Sequence, residues 1–139
     1  MFKSTRKWAV TTKLVPRRYY LPQLEGRITK EQIQFLDKYW LSLDCIELTY
    51  EKGIPKLILY EVKTKNFIEN RPAWWKPCIT QSTVNIYREA IKLGMEVKFA
   101  FVDLHDNWEY EIRLEPFEVE TCHVSVPREY DRESWHKNI

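Results

Sequence analysis

The sequence predicts an α/β (α+β) domain with a mixed central sheet flanked by helices. Three observations carry that reading. The chain has 139 residues, 44% apolar and 30% charged, proportions that suit one globular domain with a core of its own. Two β-rich runs, LDCIELTY and KLILYEVK, flank EKGIP, whose glycine turn makes them a hairpin. Segments with apolar residues at three- and four-residue spacing lie on either side of that hairpin.

The elements follow in order. Residues 1–27 show no helical period, and Pro16 and Pro22 interrupt regular structure, so an extended arm or an edge strand is expected there. Thr29, followed by Glu31 and Gln32, reads as a helix start, and Ile33, Leu36 and Trp40 form the stripe of a helix over 29–40. The hairpin comes next. Residues 66–79, with two prolines and the adjacent Trp74 and Trp75, form a long loop of the kind that is usually functional. Thr80 or Ser82 caps a second helix over 81–93, with Val84, Tyr87, Ile91 and Ile86, Ala90, Leu93 as apolar rows and Gly94 as its terminator. VKFAFVDL reads as a buried strand, HDN as a turn, and WEYEIRL as a strand with Trp108, Tyr110, Ile112 and Leu114 on one side. VETCHVSV supplies a further short strand, and 127–139 a polar tail.

Charge is uneven along the chain although the net value is only +2. Residues 1–30 carry Lys3, Arg6, Lys7, Lys13, Arg17, Arg18, Arg27 and Lys30 against the single acid Glu25, whereas ten acids follow from Asp103 onward. A basic arm with interleaved aromatics can track a polyanion, and Arg17 and Arg18 are its candidate phosphate contacts; the same arm can equally pair with the acidic C-terminal part. Cys45, Cys78 and Cys122 lack zinc or disulfide spacing, and His105, His123 and His136 are scattered. No apolar run nears the roughly 20 residues of a membrane helix and no secretory h-region is visible, so an intracellular, cytoplasmic protein without membrane contact is expected.

The hairpin register can be argued from patterning. With Lys52-Gly53 as a two-residue turn, Glu51 pairs with Ile54, Ile46 with Leu59 and Leu48 with Leu57, which makes one face apolar; a three-residue loop would mix the faces. Asp44 then lies opposite Glu61, and the two-residue period turns Lys63 to the same side. Two carboxylates on neighbouring strands can share a hard cation such as Mg2+. A lysine beside them can orient a water and offset negative charge at a phosphoryl centre. Lys65 continues that face toward phosphate, and Trp74 and Trp75 can stack on bases or cover the sheet edge.

Asp44, the hairpin spacer and Glu61-Val62-Lys63 resemble the PD-(D/E)XK motif of restriction-endonuclease-like nucleases, with Leu43 in place of the proline. The resemblance covers about residues 29–103 of a core over 29–115 and implies that family's α-β-β-(β)-α-β order. It implies a Mg2+-dependent nuclease, with Mn2+ as a substitute, acting on DNA rather than RNA, and it admits a homodimer. Asp44 and Glu61 would be metal ligands with the Val62 carbonyl, and Lys63 the catalytic base or water-positioning group. Some members add a glutamate from the first helix, here Glu31, and others a glutamine and tyrosine four apart on the crossover helix. Gln81 and Tyr87 are six apart, which leaves Gln81 to reach the site from the helix start. The competing expectations are a non-catalytic nucleic-acid-binding or assembly protein that keeps the fold, and an aromatic-rich interaction domain.

Overall fold

A computed structural model of the chain describes residues 9–66, 76–105 and 109–125. In chain order these form β1 (Ala9–Thr11), α1 (Arg17–Leu24), α2 (Lys30–Tyr39) with a 3-10 turn at Trp40–Ser42, β2 (Cys45–Glu51) and β3 (Ile54–Asn66). There follow β4 (Cys78–Thr80), α3 (Gln81–Lys92), β5 (Glu96–Leu104), β6 (Tyr110–Pro116), a 3-10 turn at Val119–Thr121 and β7 (His123–Ser125). The main sheet runs β1-β2-β3-β5-β6 and is mixed: β3 and β5 are parallel, joined across α3, and the other neighbours are antiparallel. β4 and β7 pair in parallel as a separate small sheet.

The hairpin takes the register that patterning predicts. Lys52 and Gly53 both have positive φ, 53° and 79°, the twist of a tight two-residue turn. The turn pairs Glu51 with Ile54, Leu48 with Leu57 and Ile46 with Leu59. Ile46, Leu48, Leu57 and Leu59, with Val97 of β5, share a buried cluster with Tyr20 and Leu24 of α1, Phe35 and Leu36 of α2, Trp40, and Tyr87 and Ala90 of α3. All three described helices therefore lie on one sheet face. On the other face Cys45, Ile58, Tyr60 and Ala100 form a smaller cluster, and the Tyr60 hydroxyl donates to buried Glu47.

Two helices start where capping chemistry puts them. The Thr29 hydroxyl accepts from the Gln32 N–H while the Gln32 side chain accepts from the Thr29 N–H, a reciprocal capping box. The Thr80 hydroxyl accepts from the Thr83 N–H, and α3 ends before Gly94 at φ 88°. The Gln32 amide also donates to the Leu93 carbonyl at 2.8 Å, which ties the start of α2 to the end of α3.

Several expectations need correction. Residues 9–11 are indeed an edge strand, but 17–24 form a helix rather than part of an extended arm, with Pro22 inside it. So short a helix is marginal alone; packing holds it, with Tyr20 and Leu24 buried and the Tyr20 ring 5.6 Å from that of Trp40. Ile91 is 47% exposed, so the buried row of α3 is Val84, Tyr87 and Ala90. In β6 the predicted apolar side is partly open, with Tyr110 and Leu114 exposed. The strand preceding Asp44 is β1, and both α1 and α2 intervene between it and β2. Trp74, Trp75, Trp108 and the 127–139 tail lie outside the described residues.

A Cβ at Gly53 would meet nothing within 4 Å, so replacing this glycine acts through backbone conformation alone. Gly53→Ala is expected to lower stability by about 1 kcal/mol, and Lys52→Asn to raise it by roughly 0.5 kcal/mol, because asparagine tolerates positive φ better than lysine. Urea denaturation of both variants checks the pair of signs.

Candidate active site

The site begins with a backbone contact. The Thr12 N–H donates to the Asp44 carbonyl at 3.2 Å, and the Thr12 hydroxyl to the Leu43 carbonyl, so the Asp44 main chain faces β1. One step beyond the Cys45–Tyr60 pair, Asp44 therefore meets Glu61 as a non-hydrogen-bonded pair, the arrangement that brings side chains closest. Each carboxyl lies close enough to shift the titration of the other.

Further contacts fix both groups. The Val62 N–H donates to Asp44 Oδ2 at 2.9 Å, and Lys13 Nζ lies 3.1 Å from Asp44 Oδ1. The Tyr87 hydroxyl, on the buried row of α3, donates to Glu61 Oε1 at 2.9 Å. Lys63 Nζ sits 3.7 Å from Glu61 Oε2. In a strand the carbonyl and N–H of one residue point the same way, so the Val62 carbonyl also faces the open side beyond the start of β2.

Electrostatics split the pair. Burial, then the hydrogen bond to Asp44 and its charge, push Glu61 up to about 8, while Lys63 and Tyr87 pull it back by less. For Asp44 the effect of burial is outweighed by the hydrogen bonds from Glu61, Val62 and Lys13, and its carboxyl titrates below the ordinary value. At neutral pH the two carboxyls thus hold one proton, carried by Glu61. The Tyr87 hydroxyl, held well above the phenol range first by burial and then by both carboxyl charges, stays a donor.

This donor set fits a small hard cation. Two carboxylates and a main-chain carbonyl are all oxygen ligands. Among the described residues no three His, Cys, Asp or Glu side chains converge, so further positions would fall to water and substrate, as is usual for Mg2+.

The structure brings together Asp44, Glu61, Lys63 and the Val62 main chain, and leaves other candidates elsewhere. Gln81, in the first turn of α3, donates to Asn85 Oδ1 at 2.9 Å and runs along its own helix. Glu31 is exposed in the first turn of α2, which the Gln32–Leu93 contact holds beside the far end of α3, roughly 9 Å along that helix from Tyr87. The buried residues of α2 are Phe35 and Leu36, followed by Trp40, all C-terminal to the turn that holds Glu31. Lys65 lies opposite Asp103 in the β3–β5 ladder, and its side chain is outside the described residues, as are Trp74 and Trp75. Arg17 pairs with Asp37 at 3.3 Å and Arg18 stacks on Tyr19 at 5.0 Å, both in the first turn of α1. Lys13 and Arg17 thus meet Asp44 and Asp37, while Arg113 answers Asp103 and Glu115.

Tyr87 and Lys13 are the site residues that sequence reasoning missed. A tyrosine on the buried row of a helix crossing the charged end of a sheet needs a hydroxyl partner, and that was the available signal for Tyr87. Lys13 carried none, because its approach depends on the β1–β2 pairing. Comparison with protein-family models, curated proteins and solved structures finds no match to this chain.

The pH dependence of stability follows from Glu61. Its folded carboxyl titrates at about 8 against 4.5 for the ordinary group, so between those values the folded state holds a proton that the unfolded chain has lost. Without divalent cations, stability falls as pH rises through that window and levels off above it. Asp44, with a lowered folded value, adds stability that is lost only as pH falls below 3.8. Glu61→Gln is expected to flatten the slope, and Tyr87→Phe to extend it to higher pH by removing a contact that lowers the Glu61 value; denaturant melts from pH 5 to 9 check both.

Proposed function

We propose that the chain is a Mg2+-dependent nuclease that hydrolyses phosphodiester bonds, in DNA rather than RNA. One observation carries the reading: two opposed carboxyls, Glu61 buried and Asp44 partly so, with the Lys63 ammonium 3.7 Å from Glu61. The element order supports a restriction-endonuclease-like core, since α2, the antiparallel β2–β3 hairpin, the α3 crossover and a parallel β5 follow one another. Its departures are the place of α2 after β1 and the pairing of β4 outside the main sheet.

Asp44, Glu61 and the Val62 carbonyl would hold the cation, which when bound supplies a Lewis acid for the phosphoryl oxygens and a water of lowered pKa, with Mn2+ as a substitute. The protein's own groups do the rest. Tyr87 fixes Glu61 Oε1, so the second oxygen stays directed at Lys63 and Asp44. Lys63, partly shielded from solvent, orients the attacking water and offsets negative charge growing on the phosphoryl group. Lys13 balances Asp44 from the opposite side.

That last contact also favours a second reading, a nucleic-acid-binding protein that keeps the fold without catalysis, because Lys13 and the Val62 N–H already engage both Asp44 oxygens. Cleavage of linear, single-stranded and branched DNA with Mg2+ or Mn2+ separates the two. Glu61→Ala and Lys63→Ala are each expected to reduce cleavage by at least about 100-fold. Equal cleavage by wild type and both variants would contradict the proposal. Salt-sensitive DNA binding that survives both substitutions, with no metal-dependent cleavage in the wild type, would establish the second reading.

A further inference from the structure

A cleft of about 450 Å³ opens beside the carboxyl pair, lined by Thr12, Lys13, Leu14, Val15, Pro16, Arg17, Arg18, Trp40 and Leu41. Three of these residues are cations, and exposed Leu14 and Leu41, at 81% and 74%, give it apolar walls. We infer that this cleft is a subsite for one unpaired nucleotide next to the scissile phosphodiester, so that the preferred substrate presents a single strand there.

The cleft is built from the segment that joins β1 to α1, closed by Trp40 and Leu41. The Trp40 indole N–H donates to the carbonyls of Thr12 and Val15 at 2.8 and 3.0 Å, and the N–H groups of Leu14 and Val15 both donate to the Thr11 carbonyl. This turn is therefore fixed without a ligand. Thr12, which anchors the Asp44 main chain, is also a wall of the cleft, and Lys13 reaches Asp44 at 3.1 Å. A strand whose phosphate lies at the carboxyl pair thus has its neighbouring nucleotide within reach of the cleft.

Charge and size select the occupant. Arg18 makes side-chain contacts only with neighbouring Tyr19 among the described residues. Arg17 meets Asp37, but both side chains are more than half exposed, so that pair is weak. The first turn of α1 carries no acid and Pro16 makes no side-chain cap, so two arginines stand where the helix dipole itself attracts an anion. Cations beside apolar walls match a nucleotide, with phosphate on Lys13 and Arg18 and the base against Leu14 and Leu41. The volume is that of a small-ligand pocket and matches one nucleotide better than a stacked base pair with both backbones.

The inference rests on the nuclease reading only for which bond lies next door, and binding can be measured without cleavage. The probe is a short fluorescein-labelled oligothymidylate, compared with a duplex of equal length, by fluorescence anisotropy in EDTA. Wild type is expected to bind the single strand more tightly. Arg17→Ala/Arg18→Ala is expected to weaken binding roughly tenfold or more and to reduce the slope of log K against log salt by about 0.7, the value for the one phosphate that Arg18 meets. Leu14→Ala/Leu41→Ala, both exposed positions, should weaken binding roughly tenfold without changing that slope. Tighter duplex binding, or single-strand affinity unchanged in both variants, would overturn the subsite. Metal-dependent, Glu61-dependent cleavage with unaffected binding would reject the subsite and leave the nuclease, whereas the expected binding losses without any cleavage would reject the nuclease and leave the subsite.

Discussion

Two consecutive residues at positive φ, Lys52 and Gly53, determine which side chains face the helices along the whole β2–β3 hairpin. A shift of one residue would carry Leu57 and Leu59 off the helical face and Glu61 with them, because strand side chains alternate with period two. The cluster of Ile46, Leu48, Leu57 and Leu59 with all three helices therefore enforces the same register that sets Asp44 against Glu61. Core and site are products of one constraint. Apolar packing, which makes the large contribution to stability, holds two acids in contact that would not stay there unaided.

Burying two carboxyls together is costly, and the cost falls on Glu61, whose carboxyl is pushed up to about 8 by burial and by Asp44. The asymmetry has local causes: Asp44 receives a main-chain N–H and the Lys13 ammonium, whereas Glu61 lies deeper, with the Tyr87 hydroxyl and a more distant Lys63. Tyr87 links this state to the core, since the ring that packs against Phe117 at 5.3 Å also donates to Glu61.

What was legible in the sequence divides along the range of the interactions. The hairpin, the Thr29 and Thr80 caps and the Gly94 stop are set by neighbours in the chain, and the structure has them in place. Asp44, Glu61 and Lys63 were legible because a two-residue turn converts sequence spacing into register. Helix α1 was not: Pro22 and a short run hide it, and its stability comes from Tyr20 against Trp40, twenty residues away in sequence. Lys13 and Tyr87 depend on strand pairing and on a crossover, neither of which periodicity encodes. Glu31 failed for a positional reason, since the start of α2 is tied to the end of α3, about 9 Å along that helix from Tyr87.

The central claim is that the Asp44–Glu61 pair exchanges its shared proton for a divalent cation. Titration calorimetry with Mg2+ or Mn2+, in buffers of different ionisation enthalpy, measures that exchange without a substrate. At pH 7, below the Glu61 value of about 8, close to one proton should leave for each cation bound. The release should fade above that value and vanish, with the binding, in Glu61→Ala. Cation binding with no proton release at pH 7, or identical binding by Glu61→Ala, would contradict the account.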